Sequence, residues 1–268
     1  MQLKNNTKYI WLMGGLGNVL FQILQGDIAN KNEQSIKYID FLTKESLITR
    51  LSGWSIHDSL FDLFINQDEI EEMPSYKAFY FILFAFLTKK YYKDNRLVKF
   101  HNSSFSSGNL SAKHNFGYFQ NKLLISKNID SLRILTACIR SKFSIKDSRT
   151  VVHFRYGDSK LAKLDDRYYK QVKERIKLES ENVLICTDDI EHAIVFFRDC
   201  VNVEFSKNKS SIDDFAHMVS AKKLYCSNST FSWWAAHSLS SESIIVAPLS
   251  LYNLYGIYSQ KNKLIVIE

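Results

Sequence analysis

The chain is poor in residues that break or staple structure. With 2 prolines and 9 glycines in 268 residues, it can build neither a collagen-like nor a linker-like stretch. Its 4 cysteines, Cys138, Cys186, Cys200 and Cys226, lie far apart with no Cys-x-x-Cys pair. Neither a zinc site nor a dithiol redox motif is indicated, and a reducing cytoplasm suits them. Long apolar runs are also missing. Residues 78–87 form an apolar run of about ten residues, half of what a membrane span needs. Residues 9–13 meet glycines at once, which suits a first buried strand better than an export signal. Lys and Arg exceed Asp and Glu by 35 to 28, a net +7, but no basic run gathers them, which argues against nucleic acid. An anionic membrane face or a phosphorylated small molecule remains as a partner for that charge. There is no Asp-x-Asp triplet and no His-x-x-x-His pair, so no metal ligand set is predicted.

What is present is a globular composition, 46% hydrophobic, 24% charged and 14% aromatic. Residues 9–13 read as a strand, 14–17 as a turn, 18–31 as a helix and 36–40 as a strand, one β-α-β unit. Residues from about 41 to 142 read as mainly helical. They include one long helix over 121–142 with apolar Leu123, Leu124, Ile129, Leu132, Leu135 and Ile139. A second alternation then starts, with strands predicted at 150–154, 182–186, 201–205, 223–226 and 243–247 and helices at 167–178, 190–198, 212–221 and 231–239. That order specifies an α/β fold with a parallel sheet wrapped by helices. The restart places a domain boundary at 145, giving domains 1–145 and 146–268.

Four stretches carry candidate chemistry. Gly14-Gly15-Leu16-Gly17-Asn18 joins a strand to a helix, where amide N–H groups and the helix dipole favour an anion or a polar ligand. Gly15, Gly17 and Asp40 also fit a dinucleotide-binding turn, except that Leu20 replaces the third glycine; a tight turn with no ligand fits as well. His153, Arg155 and Asp158 follow a buried strand, with His153 and Arg155 on one face. The Arg155 guanidinium suits a phosphate, against the plainer readings of a core histidine and an ion pair with Asp158. Asp188 and Asp189 follow the next strand and serve either a base or ribose or simply a helix N-cap. Asn228, Ser229, Thr230 and Phe231 open a helix as an anion cradle or as ordinary capping. Trp233 and Trp234 read as packing that holds this turn rigid.

Together these strings, with Gly117-Tyr118-Phe119-Gln120 and the run from Ser227 to Trp234, resemble the bacterial α-1,2-fucosyltransferases of glycosyltransferase family 11. The resemblance runs in order across nearly the whole chain. It implies a GT-B fold, two Rossmann-like domains facing a central cleft, with the acceptor side N-terminal and the GDP-sugar side C-terminal. It further implies inverting transfer of L-fucose from GDP-β-L-fucose, without cofactor or metal, to an oligosaccharide or lipid-linked glycan such as an O-antigen unit. Arg155 matches the arginine that grips the β-phosphate, His153 and an acid of the Asp188-Asp189 pair the guanine positions, and Ser229 and Thr230 the phosphate-side turn; Gly15, Gly17, Asn18, Asn228 and Phe231 are also expected to bind the donor. Asp158 is the candidate general base. Tyr156 departs from the family's second arginine and Ser159 from its aromatic, which keeps a related GDP-deoxysugar such as colitose open. A nucleotide-dependent oxidoreductase and a non-catalytic glycan- or nucleotide-binding subunit are the rival readings. The expected location is the cytoplasm, with residues 78–93 either a buried helix or a peripheral contact at the inner, anionic membrane face.

Overall fold

A computed structural model describes residues 7–40, 64–65, 67–74, 76–78, 80–81, 83, 97–101, 105–146, 149–156, 166–179, 181–207, 210–258 and 262–268. The chain divides into two compact units, Met1–Leu135 and Thr136–Glu268, where the sequence pattern put the division at 145. The division falls inside a helix, because the two halves of that helix serve different cores.

In the N-terminal unit, β1 (Lys8–Trp11), α1 (Leu16–Lys31) and β2 (Ile36–Asp40) form the expected first β-α-β unit. Three short strands follow, β3 (Ile70–Glu72), β4 (Val98–Phe100) and β5 (His114–Phe116). The reading of residues from about 41 to 142 as mainly helical names none of these strands. Three residues are too few to show an alternating pattern, and these strands exist through pairing, β3 with β2, β5 with β1 and β4 with β5. Among the described residues the sheet runs β3-β2-β1-β5-β4, parallel throughout. The chain order reverses beside β1, so the loops after β1 and β5 meet at the switch point of the sheet. α1 is buried along most of its length, with Leu20, Phe21, Ile23, Leu24 and Ile28 in the core.

The helix expected over 121–142 is two helices, α2 (Lys122–Lys127) and α3 (Ile129–Phe143). Asn121 caps α2, its side chain accepting from the N–H groups of Leu123 and Leu124. Asn128 stops it, folding its own amide back onto the Leu124 carbonyl at 2.8 Å. Early in α3, Ser131 receives a hydrogen bond from Lys31. Late in α3, Arg140 donates to the Ser238 carbonyl and Phe143 meets Phe215 edge-on.

The C-terminal unit follows the predicted alternation. Its elements are β6 (Thr150–Phe154), α4 (Asp166–Ile176), β7 (Val183–Thr187), α5 (Ile190–Phe196), β8 (Val203–Phe205), α6 (Ser211–Val219), β9 (Lys223–Tyr225), α7 (Thr230–Ser238) and β10 (Ile244–Pro248). Beyond the last strand read from sequence, α8 (Leu249–Tyr255) and β11 (Lys263–Ile267) extend the sheet. Its order is β11-β10-β9-β6-β7-β8, all parallel. Here the order reverses between β6 and β9, a second switch point.

Alternation along β6 divides its side chains between two layers. Val152 and Phe154 enter one core with Tyr168, Tyr169 and Val172 of α4 and Phe197. His153 turns to the other side, its ring 5.6 Å from that of Phe231 in α7. Trp233 and Trp234 are fully buried and pack edge to face at 5.0 Å. Burying about 200 Å² of each at about 25 cal/mol per Å² contributes roughly 5 kcal/mol apiece as an upper estimate. Trp233 also donates to the Gly256 carbonyl at 2.6 Å. The pair packs as the sequence pattern expects.

Candidate functional site

At the C-terminal switch point, β6 delivers His153 and Arg155 while β9 delivers the turn that opens α7. His153 is 6% exposed and its Nδ1 lies 2.5 Å from Ser232 Oγ and 2.9 Å from Ser227 Oγ. The Ser227 N–H donates to Ser232 Oγ at 3.0 Å. Burial, reinforced by the nearby Arg155 charge, lowers the His153 pKa to about 3, so the ring is neutral across the physiological range.

Arg155 is oriented from both sides. Its N–H donates to the Tyr169 hydroxyl at 3.1 Å, and its Nε lies 3.8 Å from Asp188 Oδ2. The other oxygen of Asp188 accepts from the Tyr156 N–H at 2.9 Å. Asp188 at the end of β7 therefore braces the segment that follows β6. Asp189 has the plainer role: it is the N-cap of α5, accepting from the His192 N–H at 3.0 Å. Tyr156, at the position of the departure from the family pattern, stacks on Phe154 and on His192, the latter at 4.2 Å, and donates its hydroxyl to Asp166. It belongs to the Phe154 layer, on the opposite side of the strand from His153.

The turn into α7 brings the next candidates. Ser229 is the N-cap, its hydroxyl accepting from the Phe231 N–H at 3.2 Å, so capping is what that side chain does here. Thr230 is the first helical residue. Asn228 Oδ1 is buried with no hydrogen-bond partner among the described residues. Asp158, the candidate base, lies outside the described residues, as does Ser159. Ser232 and Tyr169 were not singled out in sequence. Ser232 sits inside the Ser227 to Trp234 string, but nothing local marks it as the partner of a histidine 79 residues earlier.

At the N-terminal switch point the described loops after β1 and β5 carry neutral amide side chains, and Asp40 ends the neighbouring β2. Gly14 has φ +83° and Gly15 is the N-cap of α1. Gln22 is fully buried, accepting from the Met13 N–H at 3.1 Å and donating to the Gly117 carbonyl at 2.9 Å. Gln120 donates to Asn18 Oδ1 at 2.7 Å. These bonds clasp the loop containing Gly15, Gly17 and Asn18 to the segment 117–120, joining two strings that are about a hundred residues apart in sequence. Leu20, in place of a third glycine, is core.

Among the described residues, no group of three or more His, Cys, Asp or Glu side chains is arranged to hold a metal. No helix among them is long and apolar enough to cross a membrane. In the stretch 78–93, Ala78 is buried and Phe81 stacks on Trp11 at 5.0 Å, whereas Tyr80 and Leu83 are exposed; residues 84–93 lie outside the described set.

Similar architecture occurs in E. coli heptosyltransferase WaaC with ADP, at TM-score 0.52 and 12% identity over 98% of this chain and 93% of that one. A family 9 glycosyl transferase from Veillonella parvula aligns at TM-score 0.49 and 13% identity, over 100% of this chain and 87% of that one. The NodZ α-1,6-fucosyltransferase of Bradyrhizobium, co-crystallized with GDP, aligns at TM-score 0.41 and 13% identity over 87% and 92%. A search of curated protein sequences finds no match. Two parallel α/β sheets and the likeness to WaaC define a GT-B glycosyltransferase fold. The model of glycosyl transferase family 11 matches residues 80–265, a stretch containing Gly117 to Gln120, His153, Arg155, Asp188 and Ser227 to Trp234. The chain belongs to glycosyl transferase family 11, which includes α-1,2-fucosyltransferases.

Proposed function

We propose that the protein transfers L-fucose from GDP-β-L-fucose to a hydroxyl, O2 of a galactose, in a surface glycan or O-antigen unit, with inversion to an α-1,2 linkage. Membership of family 11 supports the fucosyl class. The observation that carries the site is the convergence, at one switch point, of the Arg155 cation, a neutral His153 and the start of α7.

In this reaction the acceptor oxygen attacks C1 of fucose as the bond from C1 to the β-phosphate oxygen breaks, and GDP leaves. The acceptor proton passes to a general base, for which Asp158 is our candidate. Negative charge grows on the departing pyrophosphate. Arg155 and the N–H groups of the first turn of α7 meet that charge, an electrostatic preorganisation commonly worth several kcal/mol. Donor binding in this scheme uses no metal ion, since a guanidinium and a helix terminus supply the positive field. The acceptor, glycan or lipid-linked, is assigned to the amide-lined N-terminal unit, with action at the cytoplasmic side of the membrane.

The test is incubation of EDTA-treated protein with GDP-fucose and a β-galactoside acceptor, with NMR of the product. An α-1,2-fucosylated galactoside supports the reading. Well-folded protein that neither hydrolyses nor transfers fucose from GDP-fucose contradicts it, and transfer from GDP-colitose alone moves the donor to the related deoxysugar.

A further inference from the structure

His153 reaches the switch point with one ring nitrogen already committed, and the commitment can be read by counting protons. Nδ1, Ser227 Oγ and Ser232 Oγ form a closed triangle with sides of 2.5, 2.9 and 3.1 Å. All three residues are buried, at 6%, 1% and 0% exposure. Ser232 Oγ already accepts the Ser227 N–H, and neither hydroxyl has a further partner among the described residues.

If Nδ1 carried the ring proton, the triangle would hold three protons and only two acceptors. One buried hydroxyl proton would then have nowhere to go, at a cost typical of an unsatisfied buried donor. With Nδ1 bare, one hydroxyl donates to it and the other hydroxyl donates to its neighbour, so every proton is placed. From this geometry we infer that Ser227 and Ser232 are positioning residues that hold His153 in its Nε2–H tautomer. The histidine thereby presents a single, fixed hydrogen-bond donor at the switch point.

Two further observations agree. Burial and the Arg155 charge keep the ring neutral, so it holds one proton and the choice between nitrogens is a real one. Nε2 itself has no hydrogen-bond partner among the described residues, which leaves its proton for a ligand. A fixed neutral donor selects an acceptor atom, a keto oxygen or an unprotonated ring nitrogen, and disfavours an amino group at the same place. That last step rests on the proposed donor site; the tautomer does not.

The experiment is a long-range ¹H–¹⁵N correlation spectrum of the histidines in the wild-type protein, assigned with His153→Gln, together with GDP titration. We expect the His153 pattern of protonated Nε2 and bare Nδ1. A Ser227→Ala/Ser232→Ala double variant should become a mixture of tautomers and bind GDP about tenfold more weakly. Ser232→Thr, which keeps the hydroxyl, should retain tautomer and affinity. A wild-type Nδ1–H pattern overturns the inference, as does a double variant with an unchanged tautomer. The wild-type spectrum decides even where the double variant does not fold. An Nε2–H pattern in a protein that binds no GDP leaves the tautomer standing and contradicts the donor reading alone.

Discussion

The two switch points are topologically alike and chemically opposite. In each unit the first strand lies beside the reversal of strand order and feeds a helix. In the C-terminal unit the loops there carry a cation, Arg155, its carboxylate brace Asp188, and a buried neutral His153. Among the described residues of the N-terminal unit, the same positions carry Gln22, which bonds to the backbone at Met13 and Gly117, and Asn18 and Gln120, which bond to each other. Topology supplies a crevice in both cases; side-chain charge decides what suits it. Fixed positive charge suits a pyrophosphate, whereas amide groups suit a neutral polyol.

The strongest way to break that contrast is to remove the charge. Arg155→Ala should lower turnover on the order of 100-fold with little change in thermal stability, since Arg155 is partly exposed and its ion pair is long. Steady-state rates and a melting curve check both halves. Arg155→Lys should restore only part of the rate, because an ammonium lacks the planar fork.

The counterpart in the other unit should act on stability instead. Gln22→Ala leaves the Met13 N–H and the Gly117 carbonyl without their partner and opens a cavity. A loss of about 3 kcal/mol is expected, measured by urea unfolding. GDP affinity of the folded fraction should stay near wild type.

Acid sharpens the comparison from the side of the histidines. His153 is buried and His237 half-buried, and both rings are neutral, with pKa values lowered to about 3 and about 4. His237 donates from Nδ1 to the Trp233 carbonyl and accepts the Tyr258 N–H at Nε2, an arrangement that needs the uncharged ring. Both lowered values mean that, as pH falls below about 6.5, the unfolded chain binds protons that the folded chain refuses. The contribution of these two rings to stability should therefore be constant above pH 7 and fall between about pH 6.5 and 4, by roughly 1–2 kcal/mol per histidine at pH 5, whereas Asp27, whose carboxyl pKa is raised by burial to about 6, works in the opposite direction below that pH. Unfolding curves across that range test it, and His237→Gln should flatten part of the slope.

The smallest effect concerns two neighbouring glycines. A Cβ on Gly14 would be held at φ +83° and lie 2.5 Å from the Asn18 amide, whereas one on Gly15 would meet nothing within 4 Å. Gly14→Ala should cost about 1–2 kcal/mol and Gly15→Ala less than about 0.5 kcal/mol, both by urea unfolding.

These contrasts also mark how far sequence reaches. The C-terminal sheet was legible because β6, β7 and β10 are largely buried runs of five residues, because a helix separates each strand from the next, and because β6 spans Thr150–Phe154 as its pattern demands. β3, β4 and β5 were not, since three residues carry no period and, unlike β8 and β9, they do not stand in a regular strand-helix alternation. The break at Asn128 hid inside an apolar pattern that continues across it. At the site, the strand ends named His153, Arg155 and Asp188, but not their partners. That Asp188 braces Arg155 while Asp189 caps a helix is settled by tertiary contacts that the local sequence does not specify. That Tyr156 joins the Phe154 layer follows from strand alternation, yet its stacking on His192 is a tertiary fact. Ser232 could not be named, because only the packing of α7 on β6 brings it to His153.

The most direct measurement is calorimetric titration of EDTA-treated protein with GDP, in wild type and Arg155→Ala, with NAD as control. The account predicts metal-independent GDP binding in the wild type, at least tenfold weaker binding in Arg155→Ala, and no binding of NAD. Wild-type protein that is folded yet binds no GDP, or an Arg155→Ala variant that binds it equally well, would contradict the assignment of the C-terminal switch point as the donor site.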